Sequence, residues 1–575
     1  MRRMWSITRP GLSGTELLEV GEDHSFNLML GWVVAMVESI GCAIEYGPTA
    51  EEDPVTTQGP RGHPAARGRT RSRLVTIAAA AVAGLALMLS GCGIVDTVTG
   101  RSVSTVDEVE FSQELAIPPL AEPRVDADGR RVFELTTQSG EREFLSGQTT
   151  QTWGINGDYL GPTLRARRGE KVAINVRNEL DEVTTMHWHG MHLPATADGG
   201  PHQPINPGET WSPEWTIDQP AATLWYHPHP HGETEKHVYR GLAGMFILDD
   251  DVEAALELPR EYGVDDIPVI VQDKTFDDDG QFTEGDREHA GMLGDTLLVN
   301  GTLGPYLEVE RELTRLRLLN GSTARTYSFG FSDDRQFALI ATDGGLLSEP
   351  HDTGRIRLSP GERAEIVVEM QPGERVVLRS YPPELGTDGS ATRKAGGEDS
   401  FDVLELRTGA TLGDSPPIPE VLVDVPRLDP SEASETRQFE LRTRTINGQQ
   451  MDMDRIDEVV IVGTTEIWEV ESGHGQIHNF HIHDVQFQVL DIDGAPPPPE
   501  LAGWKDTIFL PPRTPIRLIM RFSDYADSSM PYMYHCHLLW HEDRGLMGQF
   551  VVVEPGQGLE QPSLDSGRAD HDHGE

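Results

Sequence analysis

One motif occurs twice in this 575-residue chain, and that repeat limits the possible folds more than any other feature. Tyr226-His-Pro-His229 is followed by Gly241-Leu-Ala-Gly-Met-Phe-Ile247, and Tyr534-His-Cys-His537 by Gly545-Leu-Met-Gly-Gln-Phe-Val551. Upstream of each copy stands a further His-x-His pair, His187-Trp-His189 and His481-Ile-His483. Self-similarity of this kind means one folding unit used twice. On a strand, successive side chains alternate faces, so each His-x-His pair presents two imidazoles on one side at roughly 7 Å spacing. In the first copy Pro228 takes the place of Cys536, and Thr184 that of His478.

The rest of the chain fits that unit. Short runs such as Lys171-Val-Ala-Ile-Asn-Val176, Ile267-Pro-Val-Ile-Val271, Arg363-Ala-Glu-Ile-Val-Val368 and Phe550-Val-Val-Val553 are separated by Gly, Pro, Asn and Asp. Long amphipathic helix patterns are nearly absent, so the expected class is all-β, a series of sandwiches. The expected organisation is a tether at 93–118, a first domain at 119–252, and a second at 253–385 without any His-x-His pair. A linker at 386–432, a third domain at 433–556 and an acidic tail at 557–575 with Asp570-His-Asp-His573 complete it. His289 and His351 in the second block read as solvated loop residues.

Residues 1–92 read differently. Cys92 follows Leu89-Ser90-Gly91, as in a bacterial lipobox, behind an apolar run from Leu74 and the cluster Arg67, Arg69, Arg71 and Arg73. That layout is a signal peptide's. The expectation is export, with Cys92 lipidated and the protein anchored on the outer face of the cytoplasmic membrane or in the periplasm. Residues 1–60 do not fit ahead of such a signal and are expected to come from a start placed too far upstream. Only Cys42, Cys92 and Cys536 occur, which leaves Cys536 as the thiol available to metal. The net charge of −47 argues against nucleic acid as a partner and suits cationic or neutral substrates.

Eight histidines in four pairs can hold several metal ions, and the cysteine inside the last pair narrows the choice. His535 and His537 point one way on a strand and Cys536 the other, which places two metal sites back to back. Thiolate and imidazole together suit copper.

On these four motifs, over roughly residues 120–555, the chain resembles three-domain multicopper oxidases of the laccase, bilirubin oxidase and cuprous oxidase type. The resemblance implies three consecutive cupredoxin-like Greek-key β-sandwiches, four copper ions, and oxygen as electron acceptor. By position, His478, Cys536 and His541 match the type 1 ligands, a His₂Cys trigonal set. His187 and His481 match the type 2 ligands, and His189, His227, His229, His483, His535 and His537 those of the type 3 pair. Asp198 and Glu542 resemble the proton-relay acids. Where the family often has an axial Met this chain has Leu546, expected to leave the type 1 copper without an axial ligand and to raise its potential. The expected donor is a phenol or aromatic amine. The alternatives are a metallo-oxidase for Cu(I), Mn(II) or Fe(II) in copper tolerance, and a copper-sequestering surface lipoprotein. Residues 384–435 contain no Met, and His474 and Gln476 stand where cuprous oxidases carry an acidic/Met patch. His192, His202, His231 and His237 match no ligand position and are expected to support ligands from behind or to face water.

Overall fold

The computed structural model describes residues 102–285 and 290–558. Cys92 and its apolar run, His289, and the His-containing end of the tail lie outside the described residues. Six sheets make three two-sheet units, in agreement with the expected all-β class. Among the described residues no helix is long and apolar enough to cross a membrane.

In the first unit one sheet runs Leu164–Arg167, Gly244–Asp249, Ala222–His227, His187–His189 in spatial order. The facing sheet is built on Arg131–Leu145 and Lys171–Asn178. Phe133, Ile174, Val176, Trp188 and Phe246 belong to the core between them. In the third unit the corresponding sheet runs Glu458–Ile461, Met547–Val553, Asp527–His535, His478–Ile482, Thr507–Leu510.

The sequence repeat is also a repeat of register. His227 pairs with His187 and Tyr226 with Gly244, just as His535 pairs with His481 and Tyr534 with Gly548. The second glycine of each Gly-x-x-Gly has a steric reason. A Cβ on Gly244 would sit 2.3 Å from the Tyr226 hydroxyl, and one on Gly548 would sit 2.4 Å from that of Tyr534.

The middle unit corrects two expected boundaries. Phe401–Gly413 pairs with both Pro305–Arg311 and Arg375–Tyr381, so this unit continues to Gly413 and does not end at residue 385. Phe401, Val403, Leu404 and Leu406 are buried there, and the Gly- and charge-rich residues before them mask the strand. The 93–118 segment is not wholly a tether either. Gln113–Glu114 joins the same sheet in parallel with Pro305 and Tyr306, and the Val103 N–H donates to Asp399 Oδ1 at 2.8 Å.

Candidate metal centres

Of the four His-x-His pairs, only His187–His189 lies wholly within a strand. The strands ending at His227, Ile482 and His535 stop inside the other three motifs. The alternation of sides still holds. Centroids of the paired rings lie 5.0–6.3 Å apart, somewhat below full strand spacing.

Cys536 faces away from its two neighbours. Its Sγ lies 3.5 Å from His478 Nδ1 and 3.6 Å from His541 Nδ1, and all three residues are buried. Donors about 2.0–2.3 Å from one shared ion in trigonal array would lie roughly 3.8 Å apart, so the set fits a single small cation. Burial pushes the Cys536 thiol up to about 12, an inert state that a bound cation reverses by taking the thiolate as ligand. Leu546 is fully buried in the same apolar cluster, with its carbonyl accepting from the Cys536 N–H at 3.1 Å.

On the other side the remaining eight histidines converge. His187 donates through Nδ1 to the Asp198 carbonyl at 3.0 Å and His481 through Nδ1 to the Asp506 carbonyl at 2.9 Å, so in each ring Nε2, which has no hydrogen-bond partner, is the atom left for a metal. His229, His483 and His535 form one triad, with His535 Nε2 only 3.2 Å from the Nε2 of each of the others. His483 Nδ1 donates to Asp198 Oδ2 at 2.8 Å, which leaves its Nε2 lone pair facing inward. His189, His227 and His537 form a second triad, with His227 Nε2 3.4 Å from His537 Nε2. His189 also lies with His187 and His481. Crowded lone pairs in a buried pocket repel unless cations sit between them, and His187, His189, His227, His481, His483 and His535 are each oriented by a hydrogen bond at the other ring nitrogen, in the manner of metal ligands. Burial favours the neutral ligand form in seven of the rings. It holds His189, His227, His478, His481 and His483 well below the ordinary value, His229 at about 4 and His537 at about 3.

His535 belongs to one triad and His537 to the other, so Cys536 is one peptide link from each. Glu542 closes this side, with Oε2 3.0 Å from His535 Nδ1 and Oε1 3.4 Å from His229 Nε2. Burial would raise its carboxyl, but His229 and His535 outweigh burial and hold it well below the usual carboxylate range.

Sequence reasoning missed the residues that hold these ligands in place. Asn479 accepts from the His537 N–H at 2.6 Å and lies 3.5 Å from Cys536 Sγ, while its Nδ2 donates to Ser359 and Pro360 of the middle unit. Arg363, fully buried, donates to both oxygens of Asp506 at 2.7 Å, and Asp506 Oδ1 accepts from His189 Nε2 at 3.0 Å. A Cβ on Gly361 would come within 3.1 Å of His189 Cε1. The unit without His-x-His pairs is thus the brace for the other two. Polar residues such as Lys505-Asp-Thr507 read as surface in the sequence, and no periodicity marks their burial.

The unassigned histidines separate into roles. His192 is clamped between Asp484 and Asp524, at 2.7 Å to each. His202 Nε2 donates to Gln549 Oε1 at 2.7 Å. His237 is buried, with Nδ1 3.1 Å from Thr184 Oγ1. His237 stands four residues before Gly241, as His541 stands before Gly545, and the backbone agrees. The Leu242 N–H donates to the His237 carbonyl at 3.1 Å, and the Leu546 N–H to the His541 carbonyl at 3.0 Å. His237 is therefore the first unit's counterpart of His541.

Beside His541 lies a cavity of about 110 Å³ lined by Leu293, Ala324, Ala391, Ile477 and Leu538, with Lys394 and Gln476. Helix Ser390–Lys394, in a stretch expected to be linker, forms one wall.

Comparison with known proteins agrees with this construction. Models of the multicopper oxidase family match residues 136–253, 266–381 and 424–556. The multicopper oxidase mco of Staphylococcus haemolyticus is 37% identical over 446 residues, 76% of this chain and 92% of that protein. The cell division protein FtsP of Escherichia coli K12 is 38% identical over 447 residues, 76% and 93% of the respective chains. A solved laccase-like multicopper oxidase CueO from Ochrobactrum sp. superposes with a TM-score of 0.70 at 37% identity, covering 76% of this chain and all of that one. Sequence, fold and converging donors agree: the chain is an oxidase that belongs to the multicopper oxidase family.

Proposed function

We propose that the protein takes electrons one at a time from a phenolic or aromatic-amine donor at His541 and passes them through Cys536 to oxygen. Four donor molecules and four protons convert each O2 to two waters. The observation that carries this reading is Cys536 itself, ligand-ready on one side and one peptide link from each triad on the other. In this reading His478, Cys536 and His541 would hold the type 1 copper, with the buried, non-ligating Leu546 beside Cys536. His187 and His481 hold the type 2 copper, and His189, His227, His229, His483, His535 and His537 hold the type 3 pair. Bound copper, four ions in all, would supply the one-electron redox chemistry and the site of oxygen binding. Asp198 Oδ2 and Glu542 Oε2 lie against His483 Nδ1 and His535 Nδ1, placed to relay protons at the edge of the cluster.

The cavity at His541 supports the choice of donor. Its lining is mostly Ala, Leu and Ile, with one cation, Lys394, and contains neither Met nor carboxylate. A flat aromatic ring fits such a lining, whereas a metal cation would need thioether or oxygen donors. His474 stacks on His478 with centroids 5.2 Å apart, and both His474 and Gln476 engage Thr443. The Ochrobactrum relative is described as active towards lignin model compounds, which favours the same donor class. The lining of this cavity gives no such support to the metallo-oxidase and sequestration readings. The lipobox-like Leu89-Ser-Gly-Cys92 supports export and lipid anchoring, which release of a Cys92→Ser protein from the membrane fraction would test.

The test is oxygen uptake by the copper-loaded protein with 2,6-dimethoxyphenol and, separately, with Cu(I). The expected result is an intense blue band and phenol-driven uptake at four donors per O2. Uptake with Cu(I) alone would overturn the donor class, and no uptake with either would overturn the reading as a whole.

A further inference from the structure

Lined by none of the copper ligands, a cleft of about 500 Å³ opens where the three units meet, within the size range of small-molecule sites. Its apolar wall combines Trp504 and Val485 of the third unit, Leu346 of the second, and Val423 and Val425 of the segment that joins them. Two of the four exposed large hydrophobic side chains among the described residues belong to this region. Val252, 54% exposed, lines the rim, and Val421, 71% exposed, lies two residues from Val423.

The charges of the cleft do not cancel. Arg168 pairs with Asp218 at 3.0 Å, and His192 is engaged by Asp484 and Asp524. Asp250 is held by the N–H groups of Ala221 and Glu253, and Asp424 and Arg521 complete the charged lining. Pairing leaves an acidic excess. Asp484, only 4% exposed, has an Oδ2 with no hydrogen-bond partner, a costly arrangement for a buried carboxylate.

We propose that this cleft binds an organic cation with a flat apolar body, an aromatic ring bearing an ammonium group. The charge lies towards Asp484 and Asp424, and the ring lies against Trp504 and the valines. The site is separate from the donor cavity at His541 and needs no copper. It does touch the segment that carries the cluster. The His192 N–H donates to Gln219 Oε1 at 2.8 Å, and Gln219 Nε2 donates to the carbonyl of Gly190, next to His189, at 2.9 Å.

Isothermal titration of the copper-loaded protein with benzyltrimethylammonium, benzyl alcohol and benzenesulfonate tests the proposal. Salt at about 0.15 M screens diffuse attraction to the acidic surface. The cation is expected to bind saturably, one per chain, at least about tenfold tighter than the alcohol, and the sulfonate not at all. Val425→Arg and Asp484→Asn should each weaken the cation about tenfold or more, whereas Ala391→Trp, which fills the cavity at His541, should leave it unchanged. Equal affinity for cation and alcohol, non-saturable uptake, wild-type affinity in Val425→Arg, or loss of binding in Ala391→Trp would each overturn it.

Discussion

The first and third units use one hydrogen-bond register for two purposes. In both, a Tyr-His-x-His strand pairs with a His-x-His strand, and each unit sends four imidazoles to the shared cluster. They differ behind that strand. The third unit places Cys536 between His478 and His541, whereas the first has Pro228 at that sequence position and pairs Thr184 with His237. Pro228 has no thiol and no N–H, while the Cys536 N–H donates to the Leu546 carbonyl. The comparison teaches that the cluster needs both copies, whereas the thiolate site needs only one. In the proposed function, two substitutions decide at which end electrons enter.

The sharpest way to break this asymmetry is Cys536→Ser. The variant is expected to lose the blue band and all donor-driven oxygen uptake while metal analysis still finds copper in the cluster. Retained uptake would show that electrons enter elsewhere. The converse change, Thr184→His with Pro228→Cys, should restore a His₂Cys set around His237 and add a second thiolate-to-copper absorption band, up to the size of the first. An unchanged spectrum would mean that the first unit has lost more than its ligands.

Leu546→Met acts on the third unit alone. It is expected to lower the type 1 potential by roughly 60 mV, a factor of ten for a one-electron couple, in a redox titration followed at the blue band. No shift would contradict the axial assignment.

The smallest effect concerns the joint between the two units. Burial would lower the His192 pKa, but Asp484 and Asp524 outweigh it and raise it from 6.5 to about 10. A raised pKa means that the folded state holds the proton more tightly. The stabilisation is therefore complete below pH 6.5 and disappears as pH rises through about 10. His192→Gln should cost about 1.5–3 kcal/mol near neutral pH in thermal unfolding, and the deficit should vanish above pH 10. A deficit independent of pH would assign His192 a packing role only.

Much of the ligand set was legible because His-x-His on a strand is a local pattern. Side-chain alternation places two donors together whatever the rest of the chain does. Cys536 was legible for the same reason, since its neighbours' direction sets its own. The equivalence of His237 and His541 was not, because the first copy carries four more residues between its His-x-His pair and its glycine. The strand Phe401–Gly413 was hidden by the Gly- and charge-rich residues before it.

By itself the sequence determined the all-β class, the duplicated unit, and the one thiol placed between two imidazoles. Each depends on residues close together in the chain, where backbone geometry alone settles side-chain direction. Tertiary structure decided which imidazoles share a triad and how Arg363, Asp506 and Asn479 brace them. It also decided that the unit without ligands is the brace, and that a cleft lies where the three units meet. Those depend on contacts between residues more than a hundred positions apart, for which packing and burial, not local pattern, set the partners.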